Sequence, residues 1–124
     1  MKYILIIFLA LLGAGCTANE KKAEYKNISA REAKEMMAAE CIVLDVRTQE
    51  EYRQAHIPGA VLIPDYEINV RAEHELQDKN ALILVYCRSG RRSAAAAKIL
   101  ADKSYTNVYN FGGINSWPYE TVSD

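Results

Sequence analysis

The sequence predicts an α/β domain in which a central, mostly parallel sheet of about five strands carries helices on both faces. Three observations point there. Two short, continuous apolar runs, Ile42–Val46 and Ala81–Tyr86, are rich in β-branched residues and have the length of buried strands. Helix-like segments alternate with such runs along the chain, the pattern of βαβ units. Beyond the first fifteen or so residues about 105 remain, enough for one compact domain and too few for two.

The elements follow in order. Ser29 with Glu32 three residues on forms a capping box, and Ala30–Ala39 reads as the first helix, rich in Ala, Glu, Lys and Met. Ile42–Val46 is the first buried strand, interrupted only by Asp45. Thr48 with Glu51 is a second capping box, opening a short helix to about Gln54. Ile57-Pro58-Gly59 signals a turn, and Val61–Ile63 a brief strand. Tyr66–Gln77 reads as a solvated helix, Ala81–Tyr86 as a second buried strand, and Ser93–Asp102 as an alanine-rich helix. Asn107–Asn110 is a last short strand, followed by a turn at Gly112-Gly113 and another through Trp117-Pro118, with Phe111 and Trp117 as core aromatics. No internal repeat or low-complexity tract interrupts this order.

The N-terminus has a different character. Lys2 precedes a ten-residue apolar run, Tyr3–Leu12, and the small residues Gly13, Ala14 and Gly15 lead into Cys16. A basic start, a short apolar stretch and a small-residue cleavage site make a secretory signal peptide over residues 1–15. Ten residues span only about 15 Å as a helix, half of a bilayer core. The end of this segment, Leu-Leu-Gly-Ala-Gly-Cys, resembles the bacterial lipobox, with Gly13 standing where leucine is commonest. That resemblance implies lipidation of Cys16 as the first mature residue. It implies an exported protein anchored to a bacterial membrane, its domain in the periplasm or cell-envelope space. Thr17 provides no inner-membrane retention signal of the aspartate type. Residues 16–27 are polar and charge-rich with no apolar period, and read as a flexible tether. The domain proper is expected over 28–118, with a C-terminal tail at 119–124.

Half of the residues are apolar and a quarter charged, as in an ordinary globular protein, and the formal net charge is −1. That balance gives no ground for nucleic-acid binding. It leaves room for a local basic cluster, and Arg88, Arg91 and Arg92 form one. His56 and His74 have no companions at metal-ligand spacing, so neither a metal nor a cofactor is expected. His56 reads as a hydrogen-bonded, turn-fixing residue and His74 as solvated. The cysteines are Cys16, Cys41 and Cys87. Cys41 begins its strand and Cys87 follows the end of its own, so a parallel sheet separates them by about 16 Å. A disulfide needs Cα atoms within about 7 Å. Cys41 is therefore expected to be a buried free thiol.

Ligand sites in open parallel sheets lie at the carboxyl ends of the strands. The strand end rich in chemistry is Tyr86-Cys87-Arg88-Ser89-Gly90-Arg91-Arg92-Ser93. This segment leaves a buried strand and enters a helix within about six residues. Gly90 relieves the tight loop, and loop amides with the following helix N-terminus make an anion-binding cradle. A cysteine at its base should be ionised more readily than usual, helped by amides, helix end and guanidinium groups. The thiolate is the nucleophilic form. Asp45 must be paired or hydrogen-bonded within its apolar strand, with Arg47, Arg92 or loop amides as partners.

Cys87–Arg92 resembles the six-residue active-site loop of the rhodanese superfamily. Leu44-Asp45-Val46-Arg47 with Glu50-Glu51-Tyr52, His56-Ile57-Pro58-Gly59-Ala60 with Ile63-Pro64, and Val108–Ile114 with Trp117 resemble further signatures of that family, in the same order. Ala55 departs from the family's frequent glycine before the histidine. The resemblance implies a rhodanese-like fold and a transferase of the thiosulfate sulfurtransferase type. In such an enzyme Cys87 accepts sulfane sulfur from thiosulfate or a similar small anionic donor. A persulfide on Cys87 then passes the sulfur to a thiol or cyanide. The backbone amides from Arg88 through Ser89, Gly90 and Arg91 to Arg92 are implied to hold the sulfur. Arg88 and Arg91 are assigned to donor recognition, and Arg92 either joins them or turns to a structural carboxylate. Asp45, Arg47 and His56 are supporting residues. Two other readings share the fold: a polysulfide or persulfide relay to a partner thiol, and a non-enzymatic binding module. Cysteine phosphatases have Cys, five residues, then Arg; counting from Cys87 puts Ser93 at that place, so the loop is one residue too short.

Overall fold

The computed structural model describes residues 23–124; the segment read as a signal peptide, Cys16 and the start of the expected tether lie outside the described residues. Five strands form one sheet: β1 (Lys26–Asn27), β2 (Ile42–Asp45), β3 (Val61–Leu62), β4 (Ile83–Cys87) and β5 (Val108–Gly113). Their order is β1-β5-β4-β2-β3, and every pairing is parallel. The helices are α1 (Ala30–Met36), α2 (Gln49–Gln54), α3 (Ile68–Glu75) and α4 (Arg91–Asp102).

Each capping box read from the sequence closes as expected. The Ser29 hydroxyl accepts from the Glu32 amide at 3.0 Å while Glu32 returns to the Ser29 amide at 2.8 Å. Thr48 and Glu51 repeat the arrangement at the start of α2. Strand β4 lies between β2 and β5 with helices on both faces, so all five of its residues are buried. Its side chains alternate. Ile83, Val85 and Cys87 join the core beneath α3 and α4, with Ile68, Ala72, Ala97 and Leu100. Leu84 and Tyr86 join the opposite core, with Ala33 of α1, Ile57, Phe111 and Trp117.

The structure corrects the sequence reading at both ends of the domain. Lys26 and Asn27 are not part of a flexible tether: they pair with Tyr109 and Asn110 as the edge strand. Two polar residues suffice there because an edge strand is held by backbone hydrogen bonds, here supplemented by Asn110 Nδ2 donating to Asn27 Oδ1 at 3.0 Å. Residues 119–124 are docked. Val122 and His56 exchange backbone hydrogen bonds at 2.8 Å in each direction, and the Trp117 indole donates to the Glu120 carbonyl. Gly112 and Gly113 belong to β5 and do not form a turn. Cys41 is free, as expected, but only half-buried, at the opposite end of the strands from Cys87.

Candidate active site

The strand–loop–helix at Cys87 is shaped by its neighbour β5. Val85 pairs with Asn110, but Cys87 pairs with Gly113, so a bulge in β5 sets two residues against Tyr86 alone. Gly112 takes φ +93 in this bulge. Gly113 lies so close to the loop that a Cβ would fall 2.0 Å from the Arg88 carbonyl oxygen. The loop can therefore fold against β5 only where Gly113 has no side chain. At its other end Gly90 adopts φ +109, the left-handed turn from which α4 starts.

Cys87 is the last residue of β4 and 1% exposed. The Gly90 amide donates to its sulfur at 3.0 Å. Burial alone would push the thiol pKa up; hydrogen bonding from the Ser93 hydroxyl and from the amides of Ser93, Gly90 and Ser89 outweighs it, and the pKa is lowered. The sequence reading anticipated the amides but gave Ser93 no part. Ser93 is fully buried on the first turn of α4, its hydroxyl within 3.1 Å of the Gly90 carbonyl and 3.4 Å of the Gly112 carbonyl.

The three arginines separate. Arg88 and Arg91 are exposed, and among the described residues neither forms an ion pair. Arg92 is half-buried and grips Glu51 with both terminal guanidinium nitrogens, at 2.9 and 3.1 Å. Its side chain latches the loop to α2, turning to a structural carboxylate, one of the two arrangements expected for it. The pair holds the Glu51 carboxyl at about 2 and raises the Arg92 pKa, to which the facing Cys87 charge also contributes.

Asp45 finds its partner in Arg47. Arg47 Nε and Nη2 reach both carboxylate oxygens at 2.7–3.2 Å, and the Arg47 amide adds a fourth bond at 2.9 Å. Tyr86 donates to Asp45 Oδ2 at 2.5 Å and accepts from the Ile57 amide at 3.1 Å. Arg47 Nη2 also donates to the Ala55 carbonyl at 2.6 Å. All of this lies on the far side of the sheet from the Cys87 side chain, fixing the ends of β2 and β4 together. His56 is buried, its Nδ1 2.7 Å from the Tyr52 carbonyl and its ring stacked on Tyr52 at 3.7 Å between centroids. Among the described residues no cluster of His, Cys, Asp or Glu is arranged to hold a metal ion.

This arrangement gathers a buried, acidified thiol, converging amides and two guanidinium groups, unpaired among the described residues, at the carboxyl end of the sheet's strands, which suits attack on a small anion. Known proteins share this architecture. The family model for the rhodanese-like domain matches residues 29–119. The "Thiosulfate sulfurtransferase PspE" of Escherichia coli is 44% identical over 71 residues, covering 57% of this chain and 68% of that protein. The "Thiosulfate sulfurtransferase GlpE" of Ectopseudomonas mendocina is 30% identical over 105 residues, covering 81% of this chain and 94% of its own length. A solved structure titled "rhodanese with anions from E. coli" superposes with a TM-score of 0.64 at 38% identity, covering 68% of this chain and all of that one. The chain belongs to the rhodanese-like domain family.

Proposed function

We propose that the protein is a thiosulfate sulfurtransferase working through a persulfide on Cys87. The Cys87 thiolate attacks the outer sulfur of thiosulfate. The sulfur–sulfur bond of the donor breaks, its electron pair leaves with sulfite, and Cys87 keeps one extra sulfur. A thiolate or cyanide then attacks that outer sulfur, and the electron pair returns to Cys87. No step requires a general acid, in keeping with Asp45 being fully occupied by Arg47 and Tyr86. The observation that carries this reading is the hydrogen-bonded sulfur itself. The Gly90 amide, 3.0 Å away, and Ser93 favour the thiolate anion.

The test is mass spectrometry of the protein after incubation with thiosulfate and removal of the excess. A gain of one sulfur atom, absent in Cys87→Ser, is expected. No gain with thiosulfate but a gain with polysulfide would replace this reading by a sulfur relay. The "Putative sulfur carrier protein YrkF" of Bacillus subtilis, 41% identical over 80 residues, makes that second outcome worth the additional arm.

We also propose that the enzyme works outside the cytoplasm, tethered by a lipid on Cys16. The apolar run Tyr3–Leu12 and the small residues before Cys16 support this. Incorporation of a labelled fatty acid, lost in Cys16→Ala together with membrane association, is the expected result. An unlabelled protein in the soluble fraction would overturn it.

A further inference from the structure

Two groups that donate to the Cys87 sulfur, the Gly90 amide and the Ser93 hydroxyl, rest against one residue of the neighbouring strand. Gly112 places its carbonyl oxygen 3.4 Å from the Ser93 hydroxyl. Its Cα would lie 3.5 Å from a Cβ built on Gly90, so the two main chains pass close together. Gly112 is the extra residue of the β5 bulge. Phe111 takes the place opposite Tyr86, with ring centroids 5.4 Å apart, and Gly112 is left without a partner on β4. A glycine at φ +93 has no side chain to pin it. The placing of both sulfur donors therefore depends on what holds Gly112.

Asn110 holds it. Its Oδ1 accepts the Gly112 amide at 3.1 Å, the turn that an asparagine side chain makes onto the backbone two residues on. Asn110 pairs with Val85, two residues before Cys87, and so shares the face of the sheet on which the Cys87 side chain lies. It is buried there, in a row where the neighbouring strand positions are Val85 and Val108. An amide among valines is explained by its two bonds: Oδ1 to Gly112, and Nδ2 donating to Asn27 on the edge strand. Only the first leads to the site. The Gly112 N–H can only donate, which fixes Oδ1 as the end that faces it. With the amide side of Gly112 held in this way, its carbonyl side is aimed at Ser93.

We propose that Asn110 is a positioning residue for the sulfur transfer: by holding Gly112 it fixes the hydroxyl and the amide that face the Cys87 sulfur. The inference deepens the sulfurtransferase reading and rests on it for the reaction served, but its effect on the thiol is measurable without any sulfur donor. Asn110 touches neither the sulfur nor a substrate. It acts through Gly112, and a displacement of the reacting group's donors by a fraction of an ångström is felt in the rate.

Three variants of the full chain separate this role from a structural one. Asn110→Val removes the acceptor and supplies a residue suited to a buried strand. Asn27→Ala severs the other end of the same side chain and leaves the Gly112 bond in place. Asn110→Ser keeps an uncharged oxygen that can accept from the amide two residues on, more weakly. For each, alkylation by iodoacetamide is followed against pH on the Cys87 peptide by mass spectrometry, so that the other cysteines do not contribute. Single-turnover sulfur loading from thiosulfate is measured beside it. Asn110→Val is expected to displace the alkylation curve to higher pH and to slow loading at neutral pH about tenfold, the scale of one hydrogen bond. Asn27→Ala should do neither, and Asn110→Ser should lie between valine and the wild type. An Asn110→Val curve that coincides with the wild type would overturn the proposal. So would an equal displacement in Asn27→Ala, which would assign Asn110 to the hold on the edge strand. If no form, the wild type included, loaded from thiosulfate while the alkylation curves separated as expected, the sulfurtransferase reading would fail and the hold on the thiol would stand, so the two failures are distinguishable.

Discussion

Cys87 pairs across the sheet with Gly113, and the space a side chain on Gly113 would need is filled by the loop that Cys87 begins. A Cβ there would meet three backbone atoms: the Arg88 carbonyl oxygen at 2.0 Å, its carbon at 2.4 Å and the Ser89 Cα at 2.6 Å. None can rotate away, so Gly113→Ala must displace the loop. The expected cost is about 1–3 kcal/mol of stability, measured by urea unfolding, together with slowed sulfur loading. Gly59→Ala is the control. Gly59 has φ +83 but open space around its Cβ position. It should cost about 1–2 kcal/mol of backbone strain and leave loading intact.

Ser93 should set the pH at which the nucleophile is ready. Its hydroxyl has a single proton and three acceptors within reach: the carbonyls of Gly90 and Gly112 and the Cys87 sulfur. The ionised sulfur is the strongest of these, so the hydroxyl favours the thiolate over the thiol. Ser93→Ala is therefore expected to raise the thiol pKa. Alkylation rates against pH would show the curve displaced to higher pH, and an unmoved curve would leave the backbone amides as the whole cause.

The parts of this site visible in the sequence are those encoded locally. The two capping boxes, the apolar runs of β2 and β4, and the Cys87–Arg92 loop each declare themselves within a few residues. Relations between distant segments did not. Asp45 had three possible partners on sequence grounds, and only the sheet register brings Tyr86 onto it. Glu51 could be read as a capping residue, which it is, but its second role on Arg92 spans 41 residues. Gly112-Gly113 looks like a turn because two glycines usually relieve one; here they relieve a bulge and a backbone contact. Lys26–Asn27 carries no apolar pattern because its pairing runs through the main chain, with one side-chain bond between Asn110 and Asn27. Ser93 could have been suspected from a small hydroxyl residue following the loop, since that position begins a helix facing the strand end.

The Asp45–Arg47–Tyr86 group should matter to stability more than to charge chemistry. Asp45 is fully buried and Arg47 4% exposed. Burial disfavours the Arg47 charge, yet the Asp45 hydrogen bonds and charge leave its pKa raised. Asp45→Ala would strand that guanidinium, at an expected cost of about 3–5 kcal/mol. Tyr86→Phe removes one hydroxyl that donates to Asp45 and accepts from Ile57, at about 1–2 kcal/mol. Urea midpoints for the two variants should rank in that order. The reverse ranking would mean that the pair is held by Tyr86 and not by its own geometry.

The Glu51–Arg92 latch yields a pH dependence with a definite sign. The Glu51 carboxyl ordinarily titrates at 4.5 and in the folded protein at about 2, lowered first by the Arg92 hydrogen bonds. A depressed carboxyl stabilises the fold fully above its unfolded value, and the contribution fades as pH falls towards the folded value. The latch should therefore be whole at neutral pH and weaken between about 4.5 and about 2. Both side chains are about a quarter exposed, at 27% and 24%, so solvent screening trims the contribution to about 1–2 kcal/mol. Glu51→Gln should lower the unfolding free energy by that amount at pH 7, and its deficit relative to the wild type should shrink on acidification. A deficit that stayed constant down to the acid limit would overturn the charge-based latch, and no deficit at pH 7 would show that Glu51 acts through its capping bonds to Thr48, which glutamine can also make.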